Sequence, residues 1–172
     1  MHDLVYILGA YYLLTRGNVK TSLETTLLRW PVQVLGADGL PIEGRGGSAI
    51  TQEYRPPSHM GVDISVVDHF TDARANVLAV ATGRVVRAAR GERGFAVLLD
   101  HGDWASGYLH LADIFAGVGV GDWRAGDIVQ AGQRLGRMGA DPLDPQRIVH
   151  LHLQIAPGGH TTDPAPYLRK AV

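Results

Sequence analysis

The sequence predicts an all-β domain, a small sandwich or split barrel of mostly antiparallel strands. Two observations carry that expectation. From Trp30 onward, aliphatic runs of four to seven residues alternate with Gly, Pro, Asp and Asn, which is the punctuation of short strands and turns. No long apolar stripe of helical period follows anywhere in that region. So many short strands in one chain imply a sandwich or barrel.

The expected strands are 49–52, 61–66, 76–81, 84–89, 96–100, 106–111, 128–130, 134–139 and 148–155. They are separated by Pro56-Pro57, Gly83, the Gly91–Gly94 turn, Gly102, Gly126-Asp127, Gly132 and the segment 141–145. Residues 1–29 stand apart as a short N-terminal extension. In it 11–16 and 22–29 read as helical, divided by Gly17-Asn18. A boundary near Trp30 therefore separates 1–29 from a domain of residues 30–172.

A length of 172 residues is that of one domain with a real core. A hydrophobic share of 45% and a net charge of −1 describe a globular chain, and they argue against nucleic-acid binding driven by phosphate contacts. The absence of cysteine excludes disulfides, thiolate metal sites and thiol catalysis, so a transition metal here must be held by imidazole and carboxylate. The apolar run from Leu4 to Leu14 is about half the ~20 residues that span a bilayer. It has neither the basic start nor the small-residue end of a secretory signal, so it is expected to pack on the domain or a partner, with membrane association the lesser reading.

Three stretches place chemically competent side chains on one face of a strand. In 59–66, Val62, Ile64 and Val66 alternate with Gly61, Asp63 and Ser65, so Asp63 faces away from the core. His59 joins it if the chain stays extended, making a plausible chelating pair. In 149–155 every odd position is aliphatic, and His150, His152 and Gln154 share the other face. The two imidazoles lie about 7 Å apart along the strand, too far to bind one metal equally, so one coordinates and the other stands beside it. In 108–111, Leu109 and Leu111 alternate with Tyr108 and His110, which are expected on the same polar side. A single histidine on a half-buried strand is ordinarily structural, and an Asp near a turn is usually a turn residue. Five such residues on three strands shift that balance. His2, His69, His101 and His160 lack this context and are expected on the surface or in turns.

Zinc suits such a set, since its hydrolase sites take three protein ligands and keep a fourth position for water, whose pKa falls toward ~7. The remaining histidines could accept the water's proton, stabilise an oxyanion or return a proton to the leaving amine.

On these residues the sequence resembles the lysostaphin-type, LytM-like zinc endopeptidases of peptidase family M23. Their marks are His-x-x-x-Asp, a later His after an aromatic-containing strand and a terminal His-x-His. His59-Met60-Gly61-Val62-Asp63, Tyr108-Leu109-His110-Leu111 and His150-Leu151-His152 match them in order. The segments 80–86 and 126–136 are also similar to the family's strand-Gly-strand spacer and to the stretch before its last strands.

The resemblance implies an antiparallel β domain with zinc on the floor of a groove. It implies His59, Asp63 and His152 as zinc ligands, with His110 and His150 as the catalytic pair. It also implies hydrolysis of peptide bonds in bacterial peptidoglycan, and hence a cell-envelope or extracellular location. Tyr54 is similar in placement to a tyrosine that assists the oxyanion in some relatives. The chain departs from the family pattern in the loop Asp141 to Val149 and in Gln154, where Glu is frequent. A catalytically silent LytM-like domain that regulates another wall hydrolase is the alternative reading, and a zinc hydrolase with a non-wall substrate is a third. A biotinyl or lipoyl carrier needs a lysine at a hairpin tip, and the only lysines are Lys20 and Lys170, outside the β region.

Overall fold

A computed structural model of the chain describes residues 22–69, 74–117, 121–144 and 146–169. Its strands are β1 (Val32–Val34), β2 (Ser48–Gln52), β3 (Val62–Val66), β4 (Ala75–Leu78), β5 (Gly83–Gly91), β6 (Gly94–Asp100), β7 (Trp104–Leu111), β8 (Phe115–Gly117), β9 (Gly121–Asp122), β10 (Ile128–Val129), β11 (Arg134–Arg137), β12 (Gly139–Ala140) and β13 (Val149–Pro157). One short helix, α1 (Ala165–Leu168), closes the described chain.

Every strand pairing is antiparallel. The large sheet runs in the order β10-β5-β6-β7-β13-β3-β2, with β12 also on β13, and β1-β4-β11 form a second sheet. β10 and β2 are open edges, so the sheet is not a closed barrel. The two sheets face each other across one core. Val62, Ile64, Val66, Val97, Leu99, Leu151, Leu153 and Ile155 from the large sheet meet Val32, Val34, Ala75, Val77 and Leu135 from the small one. The all-β sandwich read from the sequence is the fold.

Most expected strands recur within a few residues, and the differences have physical causes. The strand expected over 134–139 is two elements, because Met138 breaks it to bridge Leu111, and β12 then joins the opposite sheet. β1, β8 and β9 were not expected. At two or three residues each, they are too short to show a period. Among the described residues ahead of Trp30, Ser22–Thr25 is helical, as a single 3-10 turn. Leu23 and Leu28 are fully buried in the common core, and the Arg29 N–H donates to the Val80 carbonyl at 2.8 Å. With that tertiary anchoring, 26–29 are irregular chain where a helix was expected. The segments 4–14 and 11–16 lie outside the described residues. Among the described residues no helix is long and apolar enough to cross a membrane.

The alternation expected for 108–111 is corrected. Tyr108, expected on the polar side, pairs with Val97 and Leu153, both core residues, and is itself fully buried. Leu109, expected in the core, pairs with His152 and so shares that histidine's face. The next pairing on β6 joins Phe95 to Leu111, so Leu109 and His110 together oppose the single residue Ala96. This is a β-bulge, and His110 has the left-handed φ of +63° that such an insertion takes up. It returns Leu111 to the core, where the alternation had placed it.

His101 is more than a turn residue. It follows β6, is half-buried, and stacks on Trp104 with ring centroids 3.9 Å apart. Its Nδ1–H donates to the Thr82 carbonyl at 2.8 Å, and its Nε2 lies 2.7 Å from Ser106 Oγ. Ser106 in turn lies 3.0 Å from the Tyr108 hydroxyl, which accepts the Val80 N–H at 2.9 Å. Burial pushes the Tyr108 phenol up to about 12 and lowers the pKa of His101. A histidine whose folded pKa is depressed takes up its proton more readily in the unfolded chain. Its share of stability is therefore full above about 6.5, the unfolded value, and is lost as pH falls below it. Thermal unfolding followed by circular dichroism should show the melting temperature falling between pH 7 and 5. The slope should be shallower in His101→Gln.

Candidate metal centre

The site begins with two facing residues. β3 turns Val62 and Ile64 into the core and Asp63 outward, and β13 turns Leu151 and Leu153 inward and His152 outward. In the antiparallel register His152 stands directly opposite Asp63. His59 arrives by another route than the extended chain considered from sequence. Residues 55–59 fold back on themselves, with Arg55 and His59 exchanging two backbone hydrogen bonds of 2.8 Å. The His59 ring then returns over β3. Gly61 makes room, because a Cβ there would stand 2.4 Å from the Leu153 carbonyl oxygen and 2.8 Å from His152 Nε2.

The three donor atoms form a tight triangle. His59 Nε2 lies 3.0 Å from Asp63 Oδ1 and 3.0 Å from His152 Nδ1, and His152 Nδ1 lies 2.8 Å from Asp63 Oδ1. A tetrahedral zinc with arms of about 2.0–2.1 Å requires donors about 3.3 Å apart, so the triangle fits the ion after a shift of a few tenths of an ångström. Protonation states point the same way. His59 Nδ1 must carry a hydrogen, because its partner at 2.8 Å is the Glu53 carbonyl, which can only accept. In the neutral ring Nε2 is then a bare lone pair aimed at a carboxylate oxygen. Burial works against charge on Asp63. The hydrogen bond and field of His152, with the fields of His150 and His59, outweigh it and hold Asp63 below its ordinary range. Two facing lone pairs need a proton or a metal ion between them.

His110 and His150 stand beside the triangle, their ring centroids 4.7 Å apart. His110 is brought there by the bulge in β7, and its ring lies 6.0 Å from that of His152. His150 Nε2 is 4.0 Å from Asp63 Oδ2. Both rings are anchored alike, with Nδ1–H donating at 2.9 Å to the Arg93 carbonyl from His110 and to the Ile148 carbonyl from His150. Among the described residues neither Nε2 has a hydrogen-bond partner. Burial first, then the neighbouring imidazoles, push His110 down to about 4 against the opposing pull of the Arg93 carbonyl and Asp141, so this ring is neutral at neutral pH.

The profile of peptidase family M23 matches residues 57–164. The chain belongs to that family. No curated protein sequence matches it. Among solved structures it resembles LytM of Ruminococcus gnavus, with 21% identity and a TM-score of 0.64 over 87% of this chain and 62% of that one. It resembles the antimicrobial peptidase lysostaphin of Staphylococcus simulans, with 25% identity and a TM-score of 0.52 over 71% and 48%. It also resembles a chain of the SpoIIQ–SpoIIIAH pore-forming complex, with 18% identity and a TM-score of 0.62 over 86% of this chain and 95% of that one. The chain spans less than two thirds of the length of the two peptidases.

In this M23 domain the five residues singled out by sequence are thus brought together, and His59, Asp63 and His152 form a group able to hold a metal. Tyr54 lies apart in its contacts. It packs on the core, and its hydroxyl donates to the Thr161 carbonyl at 3.1 Å. His69 and His160 are exposed, and His2 is outside the described residues.

Sequence reasoning missed Arg93 and Asp141, an ion pair joining the β5–β6 turn to the loop before β13. Nothing local in the sequence marks them as partners. Gly139 did carry a signal, since a glycine inside a strand marks a close backbone approach. A Cβ there would stand 2.7 Å from the His110 carbonyl oxygen and 2.8 Å from the Ala112 nitrogen. Gly139→Ala should therefore cost about 1–3 kcal/mol in denaturant unfolding by displacing the bulged backbone. Gly158→Ala, at a turn with nothing within 4 Å, controls for backbone strain alone because its φ of +56° is already unfavourable for alanine. Only the Gly139 variant should shift the His110 ring resonances in NMR spectra.

Proposed function

We propose that the chain is a zinc-dependent endopeptidase that hydrolyses peptide bonds of bacterial peptidoglycan, in stem peptides or cross-bridges. His59, Asp63 and His152 are its metal ligands, and His110 and His150 are its proton-handling pair. The observation that carries this reading is the convergence of His59 Nε2, Asp63 Oδ1 and His152 Nδ1 within 3.0 Å of one another, with the His59 lone pair facing a carboxylate. Two imidazoles and one carboxylate are a donor set suited to zinc, whereas calcium and magnesium favour oxygen ligands throughout. When bound, zinc supplies Lewis acidity that polarises the scissile carbonyl and acidifies a water.

The chain's own residues do the rest. With Nδ1–H tied to a backbone carbonyl, the neutral His110 presents Nε2 as a proton acceptor, and His150 is oriented in the same way. One ring takes the proton of the attacking water as the new C–O bond forms. The pair then delivers a proton to the amide nitrogen as the C–N bond breaks. The backbone anchors hold each ring in one tautomer, so little reorganisation accompanies proton transfer.

Family membership supports a peptide substrate, and similarity to LytM and lysostaphin supports the bacterial wall and a location in the envelope or outside the cell. Tyr54 would join the oxyanion site only after its hydroxyl leaves Thr161. A regulatory domain acting on another wall hydrolase is the second reading; similarity to a chain of the SpoIIQ–SpoIIIAH pore-forming complex supports only that such a fold can serve in a protein assembly. The full set of donors and the two free imidazoles favour the enzyme. Residues 1–29 are proposed as an extension to the domain of residues 30–172, with 22–29 packed on it.

Purified protein incubated with peptidoglycan should release new amino termini, and a chelator should stop the release. Zinc-loaded, folded protein that releases none would sink the enzyme reading in favour of the regulatory one. His59→Ala should lose stoichiometric zinc in metal analysis. His110→Ala should keep zinc and lose at least about 100-fold in turnover, the lower range for a general acid or base. Loss of zinc from both variants would overturn the division of roles.

A further inference from the structure

Four imidazoles meet at this site, and three have the outward nitrogen satisfied in the same way. His59, His110 and His150 each donate Nδ1–H to a backbone carbonyl, at 2.8, 2.9 and 2.9 Å. His152 is turned the other way round. Its Nδ1 faces the triangle, and its Nε2 lies 3.1 Å from the side-chain nitrogen of Gln154, a residue only 3% exposed. Among the described residues the Gln154 Oε1 is meanwhile buried without a hydrogen-bond partner. Whichever end of the amide faces His152, the other has no partner among the described residues, so the histidine decides: amide oxygen and nitrogen have nearly the same shape, and a coordinating Nδ1 needs the ring hydrogen on Nε2, facing an acceptor. Turning the amide by half a revolution about its last torsion places Oε1 against His152 Nε2. The glycines around this pair leave it room. A Cβ on Gly61 would stand 3.1 Å from Gln154 Cγ, and the β7 residue opposite Gln154 is Gly107.

We propose that Gln154 is a positioning residue for the metal site, its Oε1 accepting His152 Nε2–H so that Nδ1 is presented as a bare donor. A neutral imidazole carries one hydrogen, and whichever nitrogen holds it cannot coordinate. Gln154 thus does for His152 what backbone carbonyls do for the other three rings. Because it is an amide where the family frequently has a carboxylate, it does so without adding negative charge. The inference rests on the zinc reading above.

Zinc affinity is the readout, measured by competition with a chromogenic chelator on metal-free protein. Gln154→Met, apolar and close in size, should weaken zinc binding 10–100-fold, the usual effect of removing such a partner. Circular dichroism should show an unchanged fold. Gln154→Glu can only accept a hydrogen bond and should bind zinc at least as tightly as the parent chain. In 15N spectra of the zinc-loaded parent protein, His152 should carry its hydrogen on Nε2. Wild-type affinity in Gln154→Met would overturn the proposal. If that variant fails to fold, Gln154→Glu decides. A tenfold or greater loss would mean the amide had been donating to a bare Nε2, and retained affinity would support the assignment. Failure of the parent chain to bind zinc would instead sink the zinc reading itself.

Discussion

β13 is paired on both edges, to β3 and to β7, and most of the molecule follows from that register. Leu151 and Leu153 face Ile64 and Val62 across one edge, and Leu153 faces Tyr108 across the other, so all five side chains enter one core. The same pairings leave His152 opposite Asp63 on the outer face. A slip of one residue would exchange the two faces, burying the imidazoles and exposing the leucines. Burial of the aliphatics thus holds the donor residues in place, and core and site are specified by one set of hydrogen bonds.

The same sheet had to solve a second problem, since regular pairing of β7 cannot supply both a core residue and a histidine on the site face at the positions available. Tyr108 occupies the core, its hydroxyl bonded to the Val80 amide. His110, two residues on, would follow it inward. The bulge supplies the extra residue that turns it outward, with a left-handed backbone at His110. Such a conformation costs a non-glycine residue about 1–3 kcal/mol and persists where surrounding contacts over-determine it. Here those contacts are the His110 Nδ1 bond to Arg93 and the close passage of Gly139 over the His110 carbonyl. Arg93 is itself held by Asp141, whose carboxylate also accepts the Leu143 N–H, so the loop before β13 and the β5–β6 turn brace the histidine together.

Electrostatics complete the arrangement. Three of the four rings, His59, His110 and His150, are pinned by the remote nitrogen, which settles their tautomer before any ligand arrives. Burial lowers the pKa of His110, so this ring is neutral at neutral pH. Asp63 remains ionised through its imidazole neighbours. A site of this kind is organised in advance, which is what metal binding and proton transfer both require.

Period-2 alternation in 59–66 and 149–155 was enough to place Asp63, His150 and His152 outside the core, because those segments are regular strands in which alternate residues share a face. The all-β class and most strand positions were legible for the same reason. Alternation failed at Tyr108 and Leu109, since a bulge depends on a neighbouring strand and leaves no mark in local periodicity. His59 reaches the triangle through a folded-back loop, and the sequence held only its spacing to Asp63. The Arg93–Asp141 brace and the contact of Gln154 with His152 join residues far apart in the chain or orient a side chain within a packed space. The sequence by itself determined which polar residues share a face and which faces the regular strands bury. Tertiary structure decided which nitrogen of each imidazole points inward, because that choice is made by acceptors that only the folded sheet brings within hydrogen-bonding distance.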